Sequence, residues 1–231
     1  MNTKNNAHLS STPIPGSSIL NKKPTTPVVG SAKGVNAYYF VDEAGGYFVK
    51  MKSTFTVPSI PTDTSGSYLI LLWMGITGYK GGLLRPVLVF DSNRSTWYAQ
   101  TMASATTGSG IPDQKGTAFD VSSGTELTGV IEFTGQTAAG QYNYKISFEG
   151  HPDETSCTQI LDYPAIFSYL EIEPYSVTNQ DQFPEEGSFD FTPIDVYTNH
   201  GQVTNPRWES DNPKVLISSN WVSLPYWNGL A

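Results

Sequence analysis

The chain has one cysteine, Cys157, among its 231 residues, so no disulfide can form within it. A lone thiol of this kind is expected to serve as a small buried hydrophobe. Its three histidines, His8, His151 and His200, stand apart from one another and from any Cys/Asp/Glu group at ligand spacing. No metal site is therefore expected, and no cofactor. The acidic loop Asp181–Glu186 has no calcium-binding spacing, and no Gly-x-Ser-x-Gly nucleophile elbow occurs. No window approaches the roughly 20 apolar residues that span a membrane, so no membrane partner is expected. The first residues lack the apolar stretch of a secretion signal. The expected setting is the cytoplasm, or outside the cell after removal of a leader. Helical periodicity is also missing; Asp153–Tyr163 has room for a short helical turn at most.

Basic residues are scarce, 13 against 21 acidic, for a net charge of −8. Four of the 13 lie within residues 1–35, which hold no acid, so the remainder carries nine against 21, a balance of −12. So acidic a surface repels phosphate backbones and argues against nucleic acid as a partner. Residues 1–35 are rich in Ser, Thr, Pro, Asn and Lys without any period, and are read as a flexible N-terminal arm. Residues 36–231 are read as one β-sandwich domain.

What is abundant is aromatic residues (13%), glycine (21) and proline (16), the materials of strands and turns. Strands are expected at Tyr38–Val41 and at Gly46–Val57, where Tyr47, Val49, Met51, Phe55 and Val57 share one face. Ser95–Ala103, Thr125–Phe133, Tyr142–Glu149, Ala165–Glu173, Phe189–Thr198 and Lys214–Leu224 follow. Such spacing, punctuated by Gly and Pro, means an all-β protein, an antiparallel sandwich of two sheets.

The centre of the pattern is Ser67–Phe90. Tyr68–Ile76 is an almost unbroken apolar run, as in a strand covered on both faces, and Leu83–Phe90 is another, interrupted by Arg85 and Pro86. A guanidinium among apolar neighbours needs a carboxylate, a ligand or a watery groove. Strand parity groups Trp73 with Leu69, Leu71 and Gly75, and Arg85 with Val87 and Val89. Trp97 goes with Ala99 and Thr101, and Tyr169 with Phe167, Glu171 and Glu173. If these faces join, one surface presents Trp73, Arg85, Trp97, Tyr169, Glu171 and Glu173.

Four of these segments, in order and spacing, carry a family resemblance: Thr54–Pro61 (TFTVPSIP), Leu72–Gly78 (LWMGITG), Leu83–Phe90 (LLRPVLVF) and Ser95–Tyr98 (STWY). Over roughly residues 38–200 the chain resembles the eqolisins, the glutamic peptidases of fungi. The resemblance implies a concanavalin-like jelly-roll sandwich. It also implies a glutamate acting as general base on a water, beside a glutamine that holds the water and the oxyanion. Glu171, in Leu170–Glu173, falls where that glutamate would come. The glutamine position is Arg85, and an aspartate of the family's tryptophan-containing strand is replaced by Thr77. Arginine offers donors only and a permanent charge, where glutamine offers a donor and an acceptor. Set beside Glu171, it is expected to depress that carboxyl's pKa and to oppose acid–base cycling.

The sequence thus predicts an eqolisin-like sandwich with an altered catalytic pair, Glu171 and Arg85. Its ligand would be an extended glycan or peptide in a concave groove floored by Trp73 and Trp97, with Tyr169 and Glu173 alongside. The alternatives are a glutamic-type endopeptidase with Glu171 as general base, and a polysaccharide lyase in which Arg85 neutralises a uronate and Tyr169 is the base. The sequence does not reveal the oligomeric state.

Overall fold

The computed structural model describes residues 34–41, 43–106 and 108–226. The expected arm lies outside the described residues up to position 33, and Val35 already opens the first strand. Among the described residues the elements are 16 strands and two short 3-10 turns, Asp153–Thr155 and Gln180–Gln182.

Three antiparallel sheets form. The largest is ordered β1 (Val35–Phe40), β11 (Ala165–Tyr175), β3 (Leu69–Gly78), β4 (Gly81–Asp91) and β5 (Thr96–Ala103), with the short strands β6 (Gln114–Lys115) and β7 (Phe119–Val121) both on β5. The second runs β10 (Cys157–Leu161), β9 (Tyr142–Phe148), β8 (Glu126–Gln136), β2 (Phe48–Thr56), β13 (Ile194–Thr198) and β14 (Gly201–Gln202). The third joins β12 (Ser188–Phe191), β16 (Val222–Pro225) and β15 (Leu216–Ile217). It packs at the side of the sandwich, with Phe189 and Phe191 against Phe55 of β2.

One face of the large sheet lies against the second sheet. Ile70, Leu72, Met74 and Ile76 of β3 point into that core, where Leu84, Leu88 and Phe90 of β4 meet Phe48, Met51, Ile131, Tyr144 and Ile146. The sheets approach closely at Pro86, where a Cβ added to Gly129 of β8 would lie 2.6 Å from the proline ring. Cys157 is buried, as expected of a small hydrophobe.

The opposite face of β3 is covered too. Leu71, Trp73, Val87, Val89, Phe167 and Tyr169 form a second buried cluster, flanked by the half-buried Tyr38, Phe40, Leu83, Tyr98 and Met102. This is why the β3 sequence reads as apolar in every position rather than in alternate ones.

Three details depart from the pattern read above. In β2 Phe48 is buried in place of Tyr47 and Val49, because the ladder with β13 shifts by one residue between Lys50 and Phe48. The stretch 189–198 is two strands in different sheets, separated at a cis Thr192–Pro193 bond. The segment 153–163 holds the short helical turn expected of it, a 3-10 turn at Asp153–Thr155, but then runs on as strand β10, which the pattern did not include.

Candidate functional site

The outer face of the large sheet can be built rung by rung from the registers. Trp73 of β3 pairs with Glu171 of β11 on one side and Val87 of β4 on the other, and Glu171 pairs with Asn36 of β1. One step along, Gly75 pairs with Tyr169, and the register between the Trp73–Val87 and Ile76–Leu84 pairs sets Arg85 across from it. One step the other way, Leu71 stands between Glu173 and Val89. Three carboxylate or guanidinium groups are thereby placed around one indole.

Arg85 leaves the Gly75 rung and crosses the Trp73 ring, its guanidinium carbon 5.0 Å from the ring centre. It ends on Glu173, with Nη1 donating to Oε2 at 3.0 Å. Trp73 Nε1 donates to the same oxygen at 3.1 Å, and the Tyr175 hydroxyl donates to the other. Three donors converging on one carboxylate are the complement of its ionised form, with the Arg85 bond charge-assisted. Gly75 makes the stack possible. A Cβ there would meet the indole at 3.0 Å and the Leu84 carbonyl oxygen at 3.0 Å.

Glu171 has none of this. It is 1% exposed, and neither carboxyl oxygen has a hydrogen-bond partner among the described residues. Burial first, and the Glu173 charge second, push its pKa up to about 8, while Arg85 opposes the rise. Arg85 pulls the Glu171 pKa down as expected, but the expected net depression is overturned. The guanidinium is committed to Glu173, so desolvation wins. Tyr169, also buried, has its hydroxyl pushed up to about 12 by burial and then by Glu171; Tyr175 is likewise raised to about 12, chiefly by burial.

Of the residues singled out in the sequence, five come together: Trp73, Arg85, Tyr169, Glu171 and Glu173. Trp97 does not join them. The parity that groups it with Ala99 and Thr101 holds, but that set turns into the core between the sheets, where Trp97 packs on Phe90 at 5.2 Å and donates its indole N–H to Ser59 O. The β5 residues facing the site are the other set, with Tyr98 opposite Val89, Gln100 opposite Val87 and Met102 opposite Arg85. Trp73, fully buried, is not an exposed floor either. Thr77, at the aspartate position, is buried, and its hydroxyl donates to the neighbouring Gly78 carbonyl.

Sequence reasoning missed Tyr175 and Asn36. β11 continues through Pro174 to Tyr175, and the parity that placed Glu171 and Glu173 would have added Tyr175 had the strand not been ended at Glu173. Asn36 was lost because the first strand begins three residues earlier than its apolar pattern suggests.

Water reaches this face at its rim. The Arg85 side chain keeps 19% of its surface exposed, and Tyr175 is 41% exposed. A recess of about 740 Å³ opens at the turn end of β3–β4, bounded by Thr77, Tyr79, Lys80, Leu83 and Asp113. Thr77 and Leu83 belong both to this recess and to the face that carries Arg85. No cluster of three or more His, Cys, Asp or Glu suited to a metal ion occurs among the described residues.

Among solved structures, the fold is similar to that of scytalido-glutamic peptidase, seen in a crystal structure with a transition state analog inhibitor. The TM-score is 0.53 at 12% identity, over 86% of this chain and 100% of that one. The likeness is one of architecture, an all-β sandwich shared with a glutamic peptidase. A second match, the CBM2 module of the evolved Dit of Lactobacillus casei BL23 phage J-1, has a TM-score of 0.27 at 11% identity, over 63% of this chain and 64% of that one, too low to establish a shared fold. No family model matches the chain, and no curated protein matches it by sequence.

Proposed function

We propose that this chain is a binding protein on a glutamic-peptidase-like sandwich, holding an extended glycan or peptide across the outer face of its large sheet. One observation carries the reading. The guanidinium at the place of the family's glutamine is engaged by Glu173 and Trp73, while Glu171 lies on the next rung with no hydrogen-bond partner among the described residues. A general base must reach the water it activates and be ionised when it does so. Glu171 is buried and stays protonated up to about pH 8.

The rim is suited to an elongated ligand. The half-exposed rings of Tyr38, Phe40 and Tyr98 and the exposed Tyr175 offer flat apolar surface, Arg85 offers open N–H donors, and the recess past Leu83 extends the path to Tyr79. An array of glycans and peptides probed with the full chain tests this. Binding weakened tenfold or more by Tyr175→Ala or Tyr98→Ala is expected. Binding indifferent to both variants rejects the face.

A second reading, a glutamic-type endopeptidase, is favoured by the raised Glu171 pKa, which sits where general acids and bases operate. Digestion of a denatured protein from acid to mildly alkaline pH, with Glu171→Gln as control, decides it. Glu171-dependent cleavage would replace the binding reading. The lyase reading has no comparable support, because Tyr169 is buried and its hydroxyl is raised to about 12, far from a phenolate at neutral pH.

A further inference from the structure

Glu171 is a buried titratable group on the outer face that neither the ion pair nor the rim uses. Its position is telling. Arg85 starts on the rung of Gly75 and Tyr169 and ends on Glu173, two residues further along β11, so it spans the rung that Glu171 occupies. Among the described residues the guanidinium spends one hydrogen bond, on Glu173, which leaves most of its five donors open. The Glu171 carboxyl, with both oxygens unpartnered among the described residues, is an unclaimed acceptor on that face within the field of the same guanidinium.

We propose that Glu171 is a proton-controlled positioning residue for the Arg85 anchor. Protonated, it leaves the guanidinium on Glu173 and over Trp73. Once its proton passes to solvent, it draws the guanidinium toward itself and off the indole. The driving force is the cost of a buried, unpaired carboxylate, which the chain relieves by sharing the Arg85 guanidinium, the cation that acts on it among the described residues. The charged and titratable groups facing it among the described residues are few. From β4 the charge facing Glu171 is Arg85; β3 presents the non-titrating Trp73. From β11 come Glu173, Tyr169 and Tyr175. β1 presents Asn36 and Tyr38, whose hydroxyl bonds to Glu209. The Tyr169 and Tyr175 hydroxyls, both raised to about 12, keep their protons throughout the range in which Glu171 titrates. Glu171 itself is placed near pH 8 by burial and by Glu173.

The proposal rests on the reading of Arg85 as a ligand anchor, but its test needs no ligand, so the two can fail separately. Tryptophan emission of the full chain is followed from pH 6 to 10 for the wild type, Glu171→Gln and Trp73→Phe. The wild type is expected to show one single-proton transition near pH 8 that both variants lose, the first for want of the proton and the second for want of the reporter. A transition that survives Glu171→Gln, or a wild type without one, overturns the proposal. Infrared spectroscopy covers the case in which a variant fails to fold. The wild type at pH 6 should show the carbonyl stretch of a protonated, unbonded carboxylic acid that disappears by pH 10, and absence of that band at pH 6 also overturns it.

Discussion

Glu171 and Glu173 are two residues apart on one strand and differ in the hydrogen bonds they accept, three at Glu173 and none at Glu171 among the described residues. Opposite consequences follow for their replacement. Glu173→Ala strands a guanidinium, an indole N–H and a phenol together, and should destabilise by about 3–5 kcal/mol, the usual cost of breaking one side of a buried ion pair. Urea unfolding at pH 6 measures it. Glu171→Met removes an unpartnered carboxyl and keeps the volume. Its effect depends on pH with a definite sign. The folded state holds the Glu171 proton up to about pH 8, whereas an unfolded glutamate releases it near 4.5. The folded state therefore binds more protons between those values, and wild-type stability falls across that window, by about 1.4 kcal/mol per unit of raised pKa. Glu171→Met should escape this loss. It should be more stable than the wild type by a few kcal/mol at pH 9 and closely matched to it at pH 4.5. A constant difference across the range would contradict the assignment.

At the scale of elements, β3 and β4 were readable almost residue for residue. Their apolar runs are continuous because both faces are covered, and the interrupting Arg85 announced a polar partner. The partner's identity was not readable, since alternation gives two faces to each strand without saying which one meets the core. Trp97 shows the limit: its parity was right and its side of the sheet was wrong. Strand β10 stayed hidden for another reason. Its inward residues are Cys157, Gln159 and Leu161, and the buried middle one is an amide that satisfies itself on the Pro112 carbonyl, so no hydrophobic alternation appears. In the site itself the sequence yielded the five residues but not which carboxylate takes the arginine, because that depends on how far a flexible side chain reaches along the sheet. Gly75→Ala tests the β3–β4 arrangement. The added methyl meets the Trp73 ring and the Leu84 carbonyl at 3.0 Å, which should cost about 1–3 kcal/mol and displace the indole from beneath Arg85. Thermal unfolding and near-ultraviolet circular dichroism report the two effects.

For the molecule as a whole, the spacing of its two main sheets is set by small contacts. Pro86, which has no N–H to give the ladder, sits in the middle of β4 and presses on Gly129 across the core. Gly129→Ala would put a methyl 2.6 Å from the proline ring and wedge the layers apart. A loss of about 1–3 kcal/mol is expected, seen as a lower midpoint in urea with an unchanged slope. The same substitution at Gly45, where an added Cβ meets nothing within 4 Å, serves as the comparison for backbone strain alone, since Gly45 adopts φ +72°.

The third sheet stops at β15, two residues long, with Leu216 and Ile217 turned largely to solvent. An open ladder with greasy side chains is ordinarily an invitation for another molecule to add a strand and start a fibril. Here the invitation is too brief to accept. Pro213 and Lys214 stand before it and the chain bends at Ser219 and Asn220, so an incoming segment would find two strand residues to pair with and then run out of template. The chain can keep these two side chains in water because the edge that carries them is short.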